Sequence, residues 1–145
     1  MHLGLFVLAA GKRVGGPETY EVELVRALGR ADSPHWFHIY CTSAEAAAAF
    51  EPKPKKISCH ILKPRSRWLS VPFCLPLFLL RHRIPLFHAT YTPPPFSPCP
   101  YVFTHHDNSP FDHPEYFDPV VLARLVPLIH RGLARARIII CPSEF

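Results

Sequence analysis

The run Leu3-Gly4-Leu5-Phe6-Val7-Leu8-Ala9-Ala10 has no charged or hydrogen-bonding side chain, and it stops at Gly11. A segment this short and this continuously apolar suits burial on both faces, the situation of a strand inside a parallel sheet. Parallel strands cannot be joined by hairpins; each needs a crossover, usually a helix, to bring the chain back. The remainder of the sequence supplies that alternation. Pro17 suits a first helical position, and Val22, Val25 and Leu28 recur at helical spacing as far as Gly29. Trp36 to Cys41 reads as a second strand, Ser43 to Phe50 as a short alanine-rich helix, and Lys56 to Leu62 as a third strand.

Farther along, Leu69 to His82 reads as a proline-interrupted helix and Pro85 to Ala89 as a strand. Thr90 to Pro100 is a proline-rich loop, and Tyr101 to Thr104 is a strand that ends at His105-His106-Asp107. Asp112-His113-Pro114-Glu115 has the form of a capping box, and Asp118-Pro119 offers a second helix start. Val121, Leu122, Leu125, Ile129 and Leu133 then mark one apolar face of a helix that contains Pro127, with Arg131, Arg135 and Arg137 toward its negative end. Ile138 to Cys141 reads as a last buried strand. The expected fold is α/β, a Rossmann-like parallel sheet with helices on both faces.

At 145 residues the chain suits one domain, burying roughly 70% of the unfolded chain's surface. A hydrophobic fraction of 48% with 19% charged residues excludes a disordered polypeptide. Most of the 18 prolines fall between Pro52 and Pro119, which predicts a loop-rich middle. The five cysteines are odd in number and lack a CxxC pair, so free thiols in a reducing cytosol are expected. The first residues lack the basic region of a signal peptide, and Leu69 to Leu80 is too short to span a bilayer. The formal charge is +5, with a basic stretch at Lys53, Lys55, Lys56, Lys63, Arg65 and Arg67 that leads into Trp68, Leu69, Val71 and Phe73. It is either a solvated face or a peripheral contact, through Lys53 to Phe73, with an anionic membrane surface or a lipid-linked acceptor. Nucleic acid is not expected among the partners.

In parallel α/β sheets ligands sit beyond the carboxyl ends of the strands. The residues there are Gly11 to Gly16, Thr90 to Pro95, His105 to Asp107, and Pro142 to Glu144. Gly15-Gly16-Pro17 can bring backbone close to a phosphate or sugar at a helix start, or can be a plain tight turn. Its glycine spacing is not G-x-G-x-x-G, and there is no G-K-[ST]. His105, His106 and Asp107, with His113 nearby, can ligate a metal, serve as a base or hydrogen-bond a sugar hydroxyl, or be structural, with Asp107 capping a turn. Neighbouring strand residues point to opposite faces, which argues against His105 and His106 sharing one ion. Ser143-Glu144 can contact a polar ligand or cap a helix.

In this order the segments resemble the N-terminal half of family 4 glycosyltransferases of the two-domain GT-B fold. The resemblance rests on Gly15-Gly16-Pro17-Glu18 and the helix after it, and on Phe87-His88-Ala89-Thr90-Tyr91 followed by prolines. It rests also on Val102 to Asp107 with His113-Pro114-Glu115-Tyr116-Phe117, and on Ala136 to Phe145. Lys53 to Ile84 matches nothing distinctive, and His105 stands where the family usually has an apolar residue.

The resemblance implies retaining transfer of a sugar from a nucleotide-sugar donor, a substrate and not a cofactor, to the hydroxyl of an acceptor glycan or glycolipid, with no bound metal. It further implies that Gly15 and Gly16 lie against the donor's diphosphate or its sugar. His106 would line the sugar pocket, Asp107 would hold the local geometry, His105 would add a second polar contact, and Ser143 and Glu144 would face the cleft. The family's nucleotide-binding residues and paired glutamates belong to a C-terminal domain, so residues 1–145 are expected to form the acceptor-side domain, silent by itself. The expected setting is polysaccharide or glycolipid synthesis in the cytoplasm or at the inner face of the membrane. The other classes left open are a metal-dependent hydrolase built on His105, His106 and Asp107, and a non-catalytic interaction domain.

Overall fold

A computed structural model describes residues 1–64, 66 and 69–142. Six strands form one all-parallel sheet: β1 (His2–Phe6), β2 (Trp36–Cys41), β3 (Ile57–Ile61), β4 (Leu86–Ala89), β5 (Tyr101–Thr104) and β6 (Ile138–Ile140). Their spatial order is β3-β2-β1-β4-β5-β6. The chain builds outward from β1 in one direction through β3 and then resumes on its other side at β4. That reversal leaves a crevice at the carboxyl ends of β1 and β4, the place where open α/β sheets hold ligands.

The helices are α1 (Gly16–Arg30), α2 (Ala44–Ala48), α3 (Leu75–Arg81), α4 (Ser109–Asp112) and α5 (Pro119–Arg135). Both faces of the central strand are buried, as its uninterrupted apolar sequence requires. Leu5 and Val7 join Phe37, Ile39 and Ile57 beneath Val25 of α1 and Ala46 of α2. Phe6 and Leu8 join Tyr40, Phe87 and Phe103 beneath Leu75 and Leu79 of α3 and Ile129 of α5. The two cores are the alternate faces of one pleated sheet.

Several boundaries follow local chemistry. Ser43 caps α2, its hydroxyl accepting from Ala46 N at 3.1 Å. Asp118 caps α5, where Oδ1 accepts from Val120 N and Val121 N, and the helix continues through Pro127. Ahead of α3, Ser70–Cys74 forms a π-helical turn in which Leu75 N–H reaches Ser70 O, just before Pro76, which has no N–H to donate.

Two expectations are corrected. Asp112 is the last residue of α4, and Pro114–Tyr116 forms a separate 3-10 turn, so Asp112 to Glu115 is not a capping box. β6 is not buried: Ile138, Ile139 and Ile140 are 54%, 43% and 37% exposed, because β6 is an edge strand that, among the described residues, pairs with β5 alone. All five cysteines are free. Among the described residues, no helix is long and apolar enough to cross a membrane.

Candidate functional site

The crevice is organised by a residue that sequence patterning did not single out. Glu21, on the buried face of α1, is fully enclosed, and its carboxylate accepts hydrogen bonds from Leu8 N (2.9 Å), Ala9 N (2.8 Å) and Ala10 N (2.7 Å). These three N–H groups follow the end of β1, where no strand supplies acceptors. A buried carboxylate is tolerable where it collects several donors of this kind. Thr90, just past β4, places Oγ1 2.6 Å from Glu21 Oε1 and 2.7 Å from the Phe6 carbonyl. Glu21 therefore ties α1, the end of β1 and the end of β4 together. The one signal in the sequence was an acidic residue beside Val22 and Val25 on the core side of the helix.

Glu18 acts one turn earlier, accepting from Gly11 N (3.0 Å) and Val14 N (3.1 Å). Gly15 and Gly16 are not among the donors to either carboxylate. Gly15 has φ +80° and ψ −130°, which requires glycine. Gly16 does not need this freedom, and a Cβ on either residue would meet open space. Both residues are exposed at the start of α1, where the Gly15 carbonyl accepts from Thr19 N at 3.1 Å.

Beyond β5, the three polar residues separate. His106 Nε2 lies 2.7 Å from the carbonyl of Thr90, so Nε2 carries the proton and Nδ1 is the nitrogen left for another partner. Its ring is edge-on to Tyr20 at 5.0 Å and 5.7 Å from Tyr91. Tyr20 and His88 meet at Thr104, where Oγ1 is 3.1 Å from Tyr20 Oη and 2.8 Å from His88 Nε2. Burial, with His106 close by, lowers the His88 pKa to about 4. His105 turns the other way, with Nε2 2.7 Å from Asn108 Oδ1 and its ring near Phe103 and Phe111. Asp107 Oδ1 accepts from Ser109 N at 2.9 Å, closing the turn into α4. His105, His106 and Asp107 do not converge on a common point, and His113 is engaged with Glu115. Ser143 and Glu144 lie outside the described residues, as do Arg65, Arg67 and Trp68 of the basic stretch.

Next to His106 an apolar cavity of about 400 Å³ opens between the sheet and α5, lined among others by Leu8, Val71, Tyr91, Pro93, Phe117 and Leu125. Tyr91 borders both the cavity and His106. In the basic stretch, Lys53 pairs with Glu51 at 2.9 Å and Lys56 Nζ bonds the Ser33 carbonyl, while Leu69 and Phe73 are exposed.

A comparison with curated proteins returned no match. The profile of Glycosyltransferase Family 4 matches residues 14–145, from the glycine turn through β6. The matched span contains the Gly15-Gly16 turn, Glu21, Thr90, His106 and strands β2 to β6, and the sheet that these strands complete with β1 is the Rossmann-like α/β domain of the N-terminal GT-B type. On these grounds the chain belongs to glycosyltransferase family 4.

Proposed function

We propose that this chain is the acceptor-side domain of a retaining glycosyltransferase that moves a sugar from a nucleotide sugar to an acceptor hydroxyl in polysaccharide or glycolipid synthesis. The observation that carries this reading is His106, held by Thr90 O between Tyr20 and Tyr91 at the carboxyl ends of β1 and β4. In its neutral form the ring offers Nδ1 to a sugar hydroxyl. The exposed backbone at Gly15 and Gly16 suits close approach by the donor's diphosphate or sugar, and the helix start favours anionic oxygen. Asp107 keeps the His106 segment in place through the Ser109 cap. His105 contributes through Asn108. The nucleotide is held mainly by a second domain of the same enzyme, and transfer proceeds without a metal at this crevice.

The apolar cavity beside Tyr91 favours an acceptor with an apolar portion, which directs the reading toward glycolipid over free glycan. A peripheral membrane contact through the segment from Lys53 to Phe73 would bring such an acceptor to the crevice, with Leu69 and Phe73 dipping inward.

The test is His106→Ala in the full-length enzyme. Turnover should fall by about tenfold or more with the unfolding midpoint unchanged. Retained activity in His106→Ala, with loss instead in His105→Ala, would overturn the assignment.

A further inference from the structure

On the sheet face beneath α3, away from the crevice, four histidines crowd together. His38 of β2 and His60 of β3 lie side by side with ring centroids 5.1 Å apart, and His82, just after α3, is 4.5 Å from His60 and 5.0 Å from His38. One ring nitrogen from each of the three falls within 4.8 Å of the others. We propose that His38, His60 and His82 form a binding site for a divalent transition-metal cation of the zinc type, separate from the sugar-transfer crevice.

The surroundings of two of the three rings are those of metal ligands. A ligating imidazole normally gives its outer N–H to a fixed acceptor, which sets the tautomer and turns the other lone pair toward the ion. His38 Nε2 is 2.9 Å from His2 Nδ1, which leaves His38 Nδ1 facing His60. His82 Nδ1 is 2.8 Å from Tyr40 Oη, which leaves its Nε2 free to ligate. Gly4, paired with His38 across the ladder, has no side chain to fill this face; a Cβ there would come within 3.3 Å of the Tyr40 ring.

Neutral nitrogen donors at half-buried positions suit Zn²⁺, Ni²⁺ or Cu²⁺ and not Mg²⁺ or Ca²⁺, which take oxygen ligands. His38 Nδ1 and His60 Nε2 are 2.9 Å apart, sharing one proton. Coordination moves that proton to the outer nitrogen of its ring and spreads the pair to about 3.3 Å, as Zn–N bonds of about 2.0–2.1 Å demand. Three protein nitrogens leave the fourth position to water. Because the ligands come from β2, β3 and the end of α3, a bound cation would pin α3 to the sheet.

The experiment is equilibrium dialysis of the chain, free of any affinity tag and stripped with chelator, against micromolar Zn²⁺, with metal read by elemental analysis. One equivalent should bind and raise the unfolding midpoint. His60→Asn and His82→Asn should each weaken binding at least tenfold, while His130→Asn, on the far α5, should leave it unchanged. Circular dichroism in metal-free buffer establishes that each variant is folded. Failure of the folded wild-type chain to take up stoichiometric Zn²⁺, or uptake that neither variant reduces, would overturn the site. The outcome is independent of the glycosyltransferase reading, because neither measurement involves sugar transfer.

Discussion

Thr90 and Glu21 meet with Oγ1 and Oε1 2.6 Å apart, joining the end of β4 to a carboxylate that also holds the three N–H groups following β1. The walls of the crevice are therefore fastened to each other from inside the protein, with no charge displayed to a ligand.

Removing that carboxylate should be costly. Glu21→Ala strands three buried N–H groups, each worth about 1–3 kcal/mol, so a loss of at least about 3 kcal/mol is expected. Urea unfolding of the chain measures it. Thr90→Val should cost less, because Glu21 keeps its backbone donors. Equal stability of Glu21→Ala and the wild type would show that the carboxylate does not hold the turn.

The adjacent glycines should behave differently. Gly15 has φ +80° and ψ −130°, and Gly15→Ala should cost about 1–3 kcal/mol through backbone strain alone. Gly16 faces open space and has no such constraint, so Gly16→Val should shift stability by less than about 1 kcal/mol. In the full-length enzyme, the same Gly16→Val change should raise the donor KM or abolish transfer. Unchanged kinetics would remove the donor from this turn.

His88 makes the fold sensitive to acid. Its folded pKa of about 4 lies below the unfolded value near 6.5, so the unfolded chain takes up a proton first as pH falls. Stability is intact above the unfolded pKa and declines as pH drops through the window down to the folded one, by on the order of 2–3 kcal/mol from this residue. The groups facing it are His106, Thr104 and, through Thr104, Tyr20. Chemical denaturation at pH 7 and pH 4 should show a smaller difference for His88→Gln than for the wild type.

Gly132 marks where α5 approaches the loop after β4. A Cβ there would run into the ring of Pro93, so Gly132→Ala should destabilise by about 1–3 kcal/mol, visible as a lower unfolding midpoint. Pro93 also lines the apolar cavity, so the same variant should change the binding of apolar acceptors.

The alternation of strands and helices was legible because uninterrupted apolar runs such as Leu3 to Ala10 admit few arrangements. The cap at Asp118 could be read from its neighbour Pro119. Ile138 to Ile140 misled for the same reason that Leu3 to Ala10 did not: composition marks a strand but not its place in the sheet, and an edge strand lacks cover. In the crevice, the glycine turn and the His-Asp pair stood out by type and position. Glu21 did not, because a glutamate in a helix ordinarily faces solvent and its partners lie 11 to 13 residues away, with Thr90 69 away.

By itself the sequence determined the elements, their α/β order and the family, since these depend on local patterning and on motifs in succession. Tertiary structure alone decided which histidines act together. It turned His106 to Thr90 and His105 to Asn108, and it gathered His38, His60 and His82 from distant segments. The physical reason is the sheet. Adjacent residues of a strand diverge to opposite faces, while residues far apart in the chain meet wherever parallel strands and their crossover helices bring the same face together.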